Sequence, residues 1–141
     1  MKLVERALSF TIRAHDGQYR KHDKDTPYVF HPMVVSLILK TADFDEKVIA
    51  AGLLHDVVED TRYNIDDISK LFGGEIASLV MTATEPDKSL PWKERKKQQI
   101  KVIKDLPVAN KAIVCADKIA NLEDLRIQLR KNGYIDFSVF K

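Results

Sequence analysis

Apolar positions recur at intervals of three and four along most of the chain, and no run keeps the two-residue alternation of a half-buried strand for more than a few residues. Leu3, Ala7, Leu8, Ile12 and Ala14 fall at near-helical spacing and predict a first helix over residues 2–15. A polar loop over 16–30 follows. His31-Pro32 opens a second helix, with proline in the first turn, where a missing N–H costs little, and Met33 to Leu39 as its body. Asp45 is a suitable N-cap for a third helix over 46–60. Asn64 caps a fourth, and Gly73-Gly74 divides it from a fifth that runs from Glu75 to Thr84. A loop over 85–91, with Pro86 and Pro91, leads to a basic helix over 92–104. After Pro107 a long final helix reaches the neighbourhood of Arg130 and stops at Lys131-Asn132-Gly133. No internal repeat or low-complexity segment is present. The pattern predicts one all-α domain over residues 1–141.

Composition narrows the function classes. Hydrophobic residues make up 45% and charged residues 31%, as in an ordinary soluble domain. A net charge of +2 gives no general field directed at nucleic acid or membrane. No apolar run approaches the ~20 residues of a membrane span, and the amino terminus turns charged before a signal-peptide core could form. Cys115 is the single cysteine, which excludes an internal disulfide framework and fits a reducing cytoplasm. Its setting, Ala-Ile-Val-Cys-Ala, predicts a buried, small apolar role. The basic run Lys93, Arg95, Lys96, Lys97, Lys101 and Lys104 invites a polynucleotide reading. Trp92, Lys96, Gln99 and Ile103, however, drift around an amphipathic helix whose charged face reads as solvated, so a polynucleotide partner is not expected, although some of these bases could help attract a polyanionic nucleotide.

The chemistry is concentrated in residues 53–61, Leu-Leu-His-Asp-Val-Val-Glu-Asp-Thr. At about 100° per residue, His55, Glu59, Asp56 and Asp60 share one polar arc, opposite Ala50, Ala51, Leu54, Val57 and Val58. Burying that much negative charge without a cation is costly. An adjacent His-Asp pair offers a nitrogen and an oxygen to one cation, and the acids a turn later can act on water. Two other segments could complete such a site. His31 precedes Pro32 at a loop-to-helix boundary, a better position than His15 beside Asp16 or His22 in a polar loop, where exposure is expected. Asp117 interrupts an apolar run, with Asn121 one turn later on the same face, while the adjacent Lys118 projects about 100° away and is not the obvious partner. Two histidines and two aspartates suit Mn²⁺, Fe²⁺ or another divalent first-row ion.

His31, His55-Asp56 and Asp117 resemble the H…HD…D signature of the HD-domain metal-dependent phosphohydrolases. Ala14 to Lys21, Pro27 to Pro32, Leu53 to Thr61, Ala116-Asp117-Lys118 and Asn121-Leu122 are similar to the hydrolase domain of RelA/SpoT homologues. Thr84 to Ser89 and Trp92 to Lys96 resemble the stand-alone small alarmone hydrolases within that group. The resemblance implies an HD helical bundle of about six to seven helices that removes the 3′-pyrophosphate of guanosine tetra- and pentaphosphate. It further implies that His31, His55, Asp56 and Asp117 bind one Mn²⁺. Glu59 and Asp60 would position or deprotonate the attacking water. Arg20 and Lys21 would bind the guanine nucleotide, Arg20 by its planar fork, with Asn121 near the ribose or base. Three departures accompany the likeness. The segment His22 to Thr26 is longer than usual and lacks a glycine. Glu123-Asp124 stands where the family often has arginine, an acidic pair that would repel a polyphosphate. The family continues with a further helix and an aromatic-rich tail, which implies that this sequence, ending at Lys141, lacks them. Two alternatives stay open: another HD-type nucleotide phosphohydrolase, such as a nucleotidase, and a nucleotide-binding regulator without turnover. The sequence gives no oligomeric state.

Overall fold

Residues 48–54 are buried without interruption, and the rest of the molecule is arranged around them. The computed structural model describes residues 2–84 and 89–140. Within these, the order is α1 (Leu3–Ala14), β1 (Tyr19–Arg20), β2 (Asp23–Pro27), α2 (Phe30–Thr41), α3 (Glu46–Leu54), α4 (Val57–Asp60), α5 (Ile65–Phe72), α6 (Gly74–Ala83), α7 (Trp92–Ile103) and α8 (Val108–Asn132), then a 3-10 turn at Phe137–Phe140. Helix α3 is central and packs against α1, α2, α6 and α8. An apolar helix buried on every side belongs in the middle of a bundle. Leu53, Leu54, Ile49 and Val48 meet Leu39 and Val35 of α2 and Ile113 and Ala116 of α8 in one core. Each fully buried aliphatic side chain contributes about 1.5–3 kcal/mol. Gly52 lets α2 approach closely, since a Cβ there would run into Leu39 Cδ1.

The expected caps form. The Asp45 carboxylate accepts from the Lys47 and Val48 amides at 2.9 and 3.0 Å. The Asn64 side chain accepts from the Asp66 and Asp67 amides, and the Asp67 carboxylate returns a bond to the Asn64 N–H. Gly133 ends α8 with a φ of +78°, the left-handed C-terminal cap that glycine favours.

The all-α expectation holds apart from one small antiparallel ribbon, in which β1 and β2 pair within the predicted loop. Polar contacts close it: the Tyr28 amide donates to the Gln18 carbonyl at 2.8 Å, and the Asp23 carboxylate takes the Asp25 amide and the Thr26 hydroxyl. The predicted third helix is divided, because α3 stops at Leu54 and the short α4 starts at Val57. His55 Nδ1 donates to the Gly52 carbonyl at 2.7 Å, taking an acceptor that the continuing helix would use. Cys115 is exposed, contrary to expectation, because Ile113, Val114, Ala116 and Ala120 form the inward face of α8. Residues 85–88, including Pro86 and most of the block from Thr84 to Ser89, lie outside the described residues. Among the described residues no helix is long and apolar enough to cross a membrane.

Candidate metal centre

His31 lies in the first turn of α2, its amide bonded to the Tyr28 carbonyl at 3.0 Å. His55 and Asp56 occupy the break between α3 and α4, and Asp117 lies in mid-α8. The fold brings all four together. His31 Nε2 is 3.1 Å from Asp117 Oδ1 and 3.6 Å from Asp56 Oδ2. His55 Nε2 is 3.1 Å from Asp56 Oδ2 and 3.7 Å from Asp117 Oδ1. Ligand atoms of His31, His55 and Asp117 all lie within 4.8 Å of one another. His55 is 3% exposed, yet its Nε2 has no hydrogen bond of good geometry. A buried imidazole nitrogen left in that state, beside two carboxylates, fits a cation site. The Nδ1 bond to Gly52 directs Nε2 toward the carboxylates.

Burial pulls the His55 imidazole down, but Asp56 and Asp117 outweigh it and hold the group well above its ordinary 6.5. Burial raises both carboxyls, yet the net shift is downward: the nearby imidazoles of His55 and then His31 lower Asp56, and the His31 hydrogen bond together with the nearby His55 imidazole lowers Asp117.

An outer layer of side chains fixes the ligands. Asn121 Nδ2 donates to Asp117 Oδ1 at 2.7 Å, so this residue orients a candidate ligand as well as lining the pocket. Lys118 Nζ donates to Asp117 Oδ2 at 2.7 Å, because its long stem folds back toward the neighbouring residue rather than pointing away as expected. The Tyr28 hydroxyl lies 2.6 Å from Asp56 Oδ2 and 3.2 Å from Asp60 Oδ2. Burial and the Asp56 carboxylate push the phenol far up, so it stays a donor.

The cluster opens into a pocket of about 790 Å³. Glu59, Asp60, Arg20 and Lys21 line it, as the sequence predicts for a site. His22 lines it too and is half-buried rather than exposed, at the ribbon that contributes Tyr19 to Lys21 to the same pocket. His15 is buried outside the ligand group, its Nδ1 paired with Gln18 Oε1 at 2.8 Å. Gln18 Nε2 in turn donates to the Asp60 carbonyl at 2.7 Å. Arg20 does not present an open fork: its Nη2 is 2.8 Å from Asp124 Oδ2 and 3.5 Å from Asn121 Oδ1. The guanidinium lies over the Tyr28 ring, 5.5 Å from the centroid. Glu123 pairs instead with Arg126 at 2.7 Å, both about half exposed, so the acidic pair is neutralised by two different arginines.

The sequence does not single out Tyr28 or Lys118 as parts of the site, and it offers the bases of α7 as attractors of a nucleotide without showing that this helix forms a wall of the pocket. Trp92, Arg95, Lys96 and Gln99 of α7 line the pocket although that helix buries none of its residues. Their spacing of three and four was the available signal. It marks one helical face, and that face turns toward the pocket rather than being merely solvated.

Comparison with known proteins gives a consistent result. The family model described as HD domain matches residues 7–133. The chain is 43% identical over 122 residues to the guanosine-3′,5′-bis(diphosphate) 3′-pyrophosphohydrolase of Drosophila melanogaster, covering 85% of this chain and 68% of that protein. It is 40% identical over 121 residues to the Homo sapiens protein of the same description, covering 84% of this chain and 67% of that one. A solved structure described as a metazoan ortholog of SpoT that hydrolyzes ppGpp superposes with a TM-score of 0.82 at 41% identity, over 90% of this chain and 72% of that chain.

Proposed function

The chain belongs to the HD-domain family, and on that premise we propose that it hydrolyses the 3′-pyrophosphate of guanosine tetra- and pentaphosphate with Mn²⁺ held by His31, His55, Asp56 and Asp117. The products are GDP or GTP and pyrophosphate. The observation that carries the reading is the buried His55 Nε2, without a hydrogen bond among carboxylates, at the wall of a pocket otherwise rich in cationic side chains. Held by those four side chains, Mn²⁺ would supply positive charge beside the phosphoryl oxygens and would acidify water.

The protein's own groups then have distinct tasks. Phosphoryl transfer depends mainly on alignment and charge neutralisation. Lys21, Lys118, Arg95 and Lys96 line the pocket and attract the polyphosphate. Arg20 and Asn121 hold the nucleoside end. Glu59 and Asp60 position the water and take its proton as oxygen attacks the 3′-linked phosphorus. The bond from phosphorus to the ribose 3′ oxygen breaks, and the proton passes to that oxygen. Tyr28 keeps Asp56 and Asp60 in register through its hydroxyl. A cytoplasmic setting accompanies this reading, since an exposed cysteine is best kept reduced there.

Incubation of purified protein with ppGpp and Mn²⁺, followed by ion-exchange resolution of products, tests the assignment. Equimolar GDP and pyrophosphate are expected, with no turnover in chelator. Glu59→Gln and Asp60→Asn should retain the metal and lose about 10²–10⁴ in kcat. Orthophosphate in place of pyrophosphate, or inert ppGpp beside brisk monophosphate hydrolysis, would make the chain a nucleotidase instead.

A further inference from the structure

Asp124 does not line the pocket, yet it contacts the pocket residue Arg20. Along α8, Asp117, Asn121 and Asp124 are spaced by four and three residues and so follow one helical face. Asp117 is a candidate metal ligand, Asn121 donates to Asp117 and lies 3.5 Å from Arg20, and Asp124 accepts from Arg20 at 2.8 Å. One face of one helix thus sets the metal carboxylate and the arginine in a fixed relation. The Arg20 side chain is only 14% exposed, held between this carboxylate and the Tyr28 ring.

We propose that Asp124 is a positioning residue for nucleotide capture, holding the Arg20 guanidinium over Tyr28 so that Arg20 meets the nucleotide already ordered. The inference rests on the nucleotide-hydrolase reading above for its ligand. A free arginine loses several rotamers on binding, and a pre-held one has lost them in folding. The ion pair also offsets the Arg20 charge, which leaves attraction of phosphates to the lysines and Arg95. A carboxylate acting simply by repelling polyphosphate would have the opposite effect on affinity, so the two roles differ in sign.

Steady-state kinetics on ppGpp with Mn²⁺-loaded enzyme, and titration of GDP, which is not consumed, would compare wild type, Asp124→Ala, Arg20→Ala and the double variant. Asp124→Ala should raise KM and the GDP Kd by about three- to tenfold, the scale of ordering one long side chain, with kcat and bound metal nearly unchanged. In the Arg20→Ala background the same change should have no further effect, because Asp124 acts through Arg20. A general structural role would instead lower kcat, bound metal and Tm together. Lower or unchanged KM and Kd in Asp124→Ala, its full factor persisting in the double variant, or GDP binding by none of the four proteins would overturn the inference. Should wild type leave ppGpp intact, the proposed reaction falls, and the GDP titrations alone decide the role of Asp124.

Discussion

Tyr28→Phe removes one oxygen and leaves the ring. That oxygen is 2.6 Å from Asp56 Oδ2 and 3.2 Å from Asp60 Oδ2, and the Asp56 side chain is 16% exposed, so solvent replaces the lost donor poorly. A hydrogen bond to a charged acceptor contributes about 1.5–3 kcal/mol. Loss of a partner that orients a ligating side chain costs roughly 10–100-fold in metal affinity, or about 1.4–2.7 kcal/mol. The two ranges overlap, and a Mn²⁺ Kd at least about tenfold weaker is expected. Asp60 Oδ2, at 3.2 Å, has only the lesser share of the single hydroxyl proton, so kcat at saturating Mn²⁺ should fall less than metal affinity does. The ring stays under Arg20 at 5.5 Å and beside His15 at 4.8 Å, so KM should barely move. Competition against a calibrated chelator gives the metal Kd, and initial rates at saturating Mn²⁺ separate kcat from KM. Wild-type Mn²⁺ affinity in a folded Tyr28→Phe protein would refute the reasoning. A rise in KM alone would mean that the hydroxyl serves the nucleotide instead.

His55→Ala should abolish metal binding and turnover, and with them the Tm gain on adding Mn²⁺, which at 100 times Kd corresponds to about 2.7 kcal/mol; stoichiometric metal at wild-type affinity would sink the ligand set. Mn²⁺ affinity should rise with pH, because the raised His55 must shed a proton to ligate, giving about tenfold per pH unit until its folded value is passed; a flat profile in metal titrations across neutral pH would contradict this. In ion-free protein the raised His55 adds stability that is complete below its ordinary 6.5 and lost as pH climbs through the folded value, whereas the lowered Asp56 and Asp117 add stability present above 3.8 and lost as pH falls through theirs; denaturant midpoints across pH report both arms. Gly52→Ala should lower Tm, since overpacking against Leu39 and Val35 costs about 1–3 kcal/mol while helix propensity returns about 1; Mn²⁺ affinity should fall with it, because the Gly52 carbonyl holds His55, and an unchanged Tm and Kd would show that α2 yields freely.

The four candidate ligands were legible because each breaks a local rule. His55 and Asp56 close a run of buried aliphatics, Asp117 interrupts another, and His31 precedes a proline that fixes a helix start. Helix periodicity likewise gave most of the elements, since caps such as Asp45 and Asn64 act over three residues. What escaped depends on side chains meeting across the fold. The helix break follows from an imidazole bonding its own backbone, which an angular projection assuming one continuous helix omits. The ribbon has polar closures and no apolar alternation to reveal it. Direction at Cβ makes Lys118 a less obvious partner, but four methylenes let its ammonium return to Asp117. Tyr28 joins Asp56 and Asp60 over separations of 28 and 32 residues, beyond any local pattern.

The candidate ligands come from α2, the break after α3, and α8, with His31 and Asp117 86 residues apart in sequence. Such a centre cannot exist in a chain that has formed only its hairpins or single helices. Its assembly therefore requires long-range docking, and a captured ion would act as a clasp across three helices at once. Opening any one of them would have to wait for ion release. Amide exchange in α2, α3 and α8 should then slow together with bound metal, while the outlying α7, which buries no residue, keeps its own faster clock.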